Sequence, residues 1–113
     1  MSVNQNVSFD GKNVQINIQG RFDYRVSKDF RDAYSHIPGR EGITYHVDLS
    51  DVDFMDSSAL GMLLLLREHA KSRGGIVIIE HPSEYIDKVL RVANFEQLFD
   101  IDYSPPRQSG TGI

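Results

Sequence analysis

The sequence predicts an α/β domain, a mixed β-sheet packed against helices in the order β-β-α-β-α-β-α with a short C-terminal element. Three observations carry this. Val14, Ile16 and Ile18 alternate strictly with polar Gln15, Asn17 and Gln19, the period of a half-buried strand. Asp10-Gly11 reads as a tight turn, so residues 3–20 form a hairpin with one face on the core. Downstream, strand-like segments alternate with helical stripes, which calls for parallel strands joined by right-handed crossovers, the hairpin adding an antiparallel edge.

The elements follow in order. Val3, Val7 and Phe9 give the first strand a loose alternation, and Gly20 ends the second. Ser27 is placed to cap a helix in which Val26, Phe30, Ala33 and Ile37 share one stripe, while Lys28, Asp29, Arg31 and Asp32 face water. Pro38-Gly39 is expected to stop it. Tyr45, Val47 and Leu49 alternate into a strand that delivers the chain to an acidic turn holding Asp51 and Asp53. The next helix starts near Asp56-Ser57, whose side-chain oxygens accept unpaired backbone N–H groups, and runs to about Arg73, where Gly74-Gly75 breaks it. From Ala59 to Leu66 only Gly61 is not a large or small apolar side chain, so this helix is expected to pack on more than one side. Ile76 to Ile79 is a continuous apolar run, expected of a strand covered on both faces. Pro82-Ser83 opens a third helix with the stripe Ile86, Val89, Leu90 and Ala93. Phe95, Leu98, Phe99 and Ile101 suggest a final strand or helical turn. The domain is drawn at residues 1–103, and residues 104–113 (SPPRQSGTGI) lack any apolar period and are expected to form a mobile tail.

Composition narrows the function. At 113 residues the chain is long enough for a single core. A formal net charge of −4 disfavours direct binding to nucleic acid, which needs a basic face. With no cysteine, neither a disulfide framework nor a thiolate metal site is available. The N-terminus lacks the basic and apolar regions of a signal peptide, and the longest apolar run, Met62 to Leu66, is far too short to span a membrane. A cytoplasmic protein is the expectation, with no membrane partner.

Ser57 stands out because a hydroxyl at the mouth of a long helix faces the positive end of the helix dipole, a favourable place for a phosphate. As a plain helix cap it would need no further role. Ser58, beside it, reads as a first-turn residue facing the sheet. Asp23, Asp51, Asp53 and Asp56 are compatible with a metal or partner site, yet turns explain aspartate as well, and no metal is assigned to them. A catalytic serine would need a base and an oxyanion hole; His36, His46, His69 and His81 stand in no recognisable constellation, and no G-x-S-x-G elbow exists. Met55 reads as core, whereas Met62 and Leu64 are expected in an apolar patch that meets a partner.

The stretch VDLSDVDFMDSSALG, residues 47–61, resembles the signature of the STAS domain, and in particular of the free-standing bacterial anti-sigma factor antagonists. In that family a strand ends in L-x-x-[VL]-x-F-[ML]-D-S-[ST]-G-[LV]-G, and the serine directly after the aspartate is phosphorylated; that position is Ser57. Gly20-Arg21-Phe22-Asp23 is similar to the family's G-x-[LF]-D. The likeness runs from about Val3 to Ile101, with Ala59 standing where the family has glycine. It implies a STAS-like mixed sheet and a phosphorylation-controlled partner switch without catalytic groups or cofactors of its own. Unphosphorylated at Ser57, the protein would bind an anti-sigma factor or serine kinase and free its client; a PP2C-type serine phosphatase would restore that form. Asp23, Asp56, Ser57, Ser58 and Met62 are the expected partner-binding residues. The alternative is a STAS interaction module controlling a non-sigma output such as biofilm formation.

Overall fold

The computed structural model describes residues 2–37 and 41–104. Its strands are β1 (Ser2–Val7), β2 (Asn13–Phe22), β3 (Thr44–Met55), β4 (Ile76–Glu80) and β5 (Asp100–Asp102). Its helices are α1 (Ser27–Ser35), α2 (Ser57–Ser72) and α3 (Glu84–Val92), with 3₁₀ turns at Tyr24–Val26 and Phe95–Gln97. The strands lie side by side in chain order, β1 antiparallel to β2 and every later pair parallel. This is the expected α/β order, and the short C-terminal element proves to be both a 3₁₀ turn and a strand. The expected stop at Pro38-Gly39 and the tail beyond Ser104 lie outside the described residues.

Burial alternates along the strands. Val14, Ile16 and Ile18 of β2, Tyr45, Val47 and Leu49 of β3, and Val77 and Ile79 of β4 are all 5% exposed or less, and they face the helices. The other face carries Asn13, Gln15, Asn17, Thr44, His46, Asp48 and Glu80, half-buried or exposed. Among the described residues helices cover one face only, which corrects the expectation for β4: Ile76, on the other face, is 49% exposed. The same correction applies to α2. Ala59, Met62, Leu63, Leu66 and Ala70 are buried, but Leu64 and Leu65 are 38% and 63% exposed, so α2 packs on one broad face rather than on two.

Three local details differ from the sequence reading, the first being that β2 runs past Gly20 to Phe22. The first residue of α1 is Ser27, but it is not the cap; the chain enters through the 3₁₀ turn, which Asp23 caps by accepting from the Arg25 N–H at 3.0 Å. The stretch holding Asp51 and Asp53 is not a turn. β3 continues through it, with one residue more than β2 between Asn17/Asp48 and Gln19/Asp51, and another between Gly20/Val52 and Arg21/Phe54. These bulges shift the buried positions from Leu49 to Val52 and Met55, and they curl the strand end that feeds α2. At the other end of α2, Gly74 takes the left-handed conformation (φ 69°), and Gly75 donates back to the Ala70 carbonyl at 2.8 Å. A side chain at Gly75 would collide with the carbonyl oxygen of Ile43, which also accepts from the Ile76 N–H.

Candidate functional site

β2 and β3 end together, Phe22 opposite Met55, so Asp23 and Asp56 leave the sheet side by side at its C-terminal edge. Asp56 is extended (φ −123°, ψ −175°) and caps α2: its Oδ1 accepts from the backbone N–H of Ser58 at 3.0 Å and of Ala59 at 3.2 Å. The hydroxyl of Ser58 donates to that same oxygen at 2.6 Å. Ser58 is thus half-buried and locked onto the cap. Ser57 is the first residue of the helix and exposed, and among the described residues its hydroxyl has no hydrogen-bond partner. The two adjacent serines are chemically unequal: one hydroxyl is engaged, the other is free to meet an incoming group.

Asp23 is 4% exposed and internally committed. The Arg25 guanidinium donates to both its oxygens, at 2.8 and 3.2 Å, and Arg21 lies 3.6 Å away. The bond from Arg25 is the main reason its carboxyl is held down to about 2. What it presents to the surface is the two half-exposed arginines it anchors. Arg21 also stacks on Phe54, with its guanidinium 3.9 Å from the ring centroid. Sequence reasoning missed Arg21, Arg25 and the 71% exposed Tyr24. The signal was there in R-F-D-Y-R, an aspartate with an arginine two residues away on each side.

Helical geometry then sorts the rest of α2. Ser57, Gly61, Leu64, Leu65 and Glu68 share the outward face at spacings of 4, 7, 8 and 11 residues, and all five are exposed. Met62, five residues from Ser57, points to the opposite side and is only 8% exposed. Its placement in a partner-facing patch is therefore corrected: Met62 fills the core, and the exposed apolar ground below Ser57 belongs to Leu64 and Leu65. Met55, at 3%, is core as expected. Ala59 is fully buried, so its methyl adds to the core and does not project towards a partner.

The histidines lie elsewhere. His69, at the far end of α2, packs against Tyr34 and Tyr45 with ring centroids 5.0 and 5.9 Å apart. His46 pairs with Glu80 at 2.9 Å on the open sheet face. Asp51 and Asp53 are exposed on the bulged end of β3, while Asp56 is spent on the cap.

Comparison with known proteins adds the family. The family described as "Mlab, STAS domain" matches residues 5–100. A STAS-domain containing protein of Pseudomonas aeruginosa is 45% identical over 104 residues, covering 89% of this chain and 99% of the relative. The anti-sigma-B factor antagonist of Bacillus subtilis is 26% identical over 101 residues, covering 89% and 92%. Among solved structures, the anti-sigma factor antagonist SpoIIAA in its unphosphorylated form superposes with a TM-score of 0.70 at 18% identity, over 92% of this chain and 90% of that one. At that identity the likeness speaks for the fold, a five-stranded sheet with helices on one face. With the matched family spanning nearly the whole described domain, the chain belongs to the STAS domain family.

Proposed function

We propose that this protein is a phosphorylation-controlled partner-switching regulator. Unphosphorylated at Ser57, it binds an anti-sigma factor or serine kinase and so frees that partner's client; phosphorylation of Ser57 ends the interaction, and a PP2C-type phosphatase reverses it. Relatives named as antagonists of anti-sigma factors support a binding activity rather than an enzymatic one. The carrying observation is the inequality of the two serines: Ser57 is exposed at the helix mouth with no hydroxyl partner among the described residues, while the Ser58 hydroxyl is held by Asp56. A kinase needs an accessible acceptor, and a phosphate at the first helical position meets the positive end of the helix dipole. The surface that would touch the partner comprises Ser57, the Asp56 cap, the edge of Ser58, the arginines tied to Asp23, and Leu64 and Leu65 below. The expected compartment is the cytoplasm, where kinase, phosphatase and client would meet.

The P. aeruginosa relative is the more similar of the two described, and its name specifies no sigma factor. The same switch acting on a non-sigma client is therefore the second reading. Capture from native extract with wild type, Ser57→Ala and Ser57→Asp as baits, read by mass spectrometry, tests both. The proposal expects a kinase or anti-sigma factor on wild type and Ser57→Ala, and its loss from Ser57→Asp. Phosphopeptide mapping of protein isolated from the native cell should find phosphate on Ser57; phosphate on Ser58 alone would refute the assignment.

A further inference from the structure

The open face of the sheet carries a second constellation, remote from the serine turn. Asp48 and Glu80 are cross-strand partners in β3 and β4, and one ligand atom each from Asp48, Glu80 and His81 lie within 4.8 Å of one another. In a regular strand Glu80 and His81 would point to opposite faces. His81 instead takes a left-handed conformation (φ 56°) just after β4, and the break in alternation brings its imidazole to the carboxylates. Its Nδ1 lies 2.6 Å from the carbonyl oxygen of Ser104. A carbonyl only accepts, so Nδ1 carries the hydrogen and the lone pair falls on Nε2, the arrangement in which metal-binding histidines are held. Glu80 is steadied in the same way from outside the cluster, by Gln15 Nε2 on Oε1 at 3.0 Å and by His46 on Oε2 at 2.9 Å. Each oxygen keeps a further lone pair. Asp48 spends Oδ1 on the backbone N–H of Ser50, and among the described residues its Oδ2 has no hydrogen-bond partner.

The geometry points to a divalent transition-metal site formed by Asp48, Glu80 and His81 on the open sheet face. Two carboxylates side by side on neighbouring strands repel each other, and a cation between them removes that cost. One imidazole with two carboxylates suits zinc or its neighbours better than magnesium, which prefers oxygen alone. These are not the carboxylates that the sequence brought to attention around the serine turn.

Isothermal titration of the full chain, stripped with a chelator, with Zn²⁺ and separately with Mg²⁺ at neutral pH tests the site. One saturable Zn²⁺ site is expected, with Mg²⁺ much weaker. His81→Gly removes the imidazole while suiting the positive φ, so this variant should fold and lose zinc affinity by at least about tenfold, as should Asp48→Asn. Thermal melts of the metal-free variants establish that they fold. Absence of saturable Zn²⁺ binding to wild type, or binding unchanged in folded His81→Gly, would overturn the proposal; the latter would put zinc on another surface histidine.

Discussion

At the scale of single residues, the account turns on what each polar side chain near the serine turn is already doing. Asp56 is a cap, so Asp56→Ala should lower stability by about 0.5–2 kcal/mol in denaturant unfolding and also release the Ser58 hydroxyl. A variant as stable as wild type would mean that α2 is held by packing alone. Asp23 makes a pH prediction. Its folded carboxyl is held at about 2 against an ordinary 3.8, chiefly by the bond from Arg25, so its contribution is present above the unfolded value and lost as pH falls towards 2. Asp23→Asn should flatten that stretch of the acid-unfolding curve. His69 works in the other window. Burial, then the charge of Arg73, lowers its pKa from 6.5, and its neighbours are the aromatic rings of Tyr34 and Tyr45. The unfolded chain therefore takes up the proton first, and stability is lost as pH falls below 6.5. Because the Nε2 of His69 has no partner among the described residues, His69→Phe should keep the packing and abolish this part of the pH dependence. Ser57 and Asp56 were legible in sequence because capping is a local rule. The burial of Met62 was only half legible: spacing from Ser57 puts it on the far side of α2, but methionine's adaptability argued for a surface.

Among the elements, those with a clear period are legible in the sequence and those shaped by their neighbours are not. The β2 alternation and the α3 stripe survive intact, as does the Gly74-Gly75 break. The end of β3 reads as a turn in sequence because Asp51 and Asp53 are turn-type residues; pairing with β2, absorbed by two bulges, keeps them in the strand. The β4 run reads as a doubly covered strand because short apolar runs do not reveal how many faces are packed. Gly75 gives the sharpest test at this scale. Its Cα approaches the backbone just before β3 so closely that a methyl would strike the Ile43 carbonyl, which is also the acceptor for Ile76. Gly75→Ala should destabilise by about 1–3 kcal/mol through forced backbone movement, while substitution of exposed Gly61, with open space around it, should not incur that clash. Equal melting temperatures for Gly75→Ala and wild type would contradict the close approach.

For the whole molecule, a one-sided sheet leaves two surfaces on which the proposals rest: the helical side with the serine turn at one edge, and the open polar face with Asp48, Glu80 and His81. The second was invisible in sequence, because adjacent Glu80 and His81 are brought to one face only by a backbone conformation that no local rule predicts. At the first surface, phosphate on Ser57 should gain about 0.3–1 kcal/mol from the helix dipole and lose a similar amount to nearby Asp53 and Asp56. Phosphorylated and unphosphorylated proteins should therefore melt at nearly the same temperature, and the switch should act at the interface. Phosphate adds about −1.5 to −2 charges where the proposed partner would be shaped for a hydroxyl. A clash of about 3–4 kcal/mol, at about 1.4 kcal/mol per factor of ten, suffices to release the partner. The most direct test is titration calorimetry of the captured partner with Ser57→Ala and Ser57→Asp at two ionic strengths. Ser57→Ala should bind like wild type, and Ser57→Asp should bind at least about a hundredfold more weakly, with added salt restoring only part of the loss because desolvation and shape are not screened. Equal affinity of the two variants for the partner would contradict a switch at this serine.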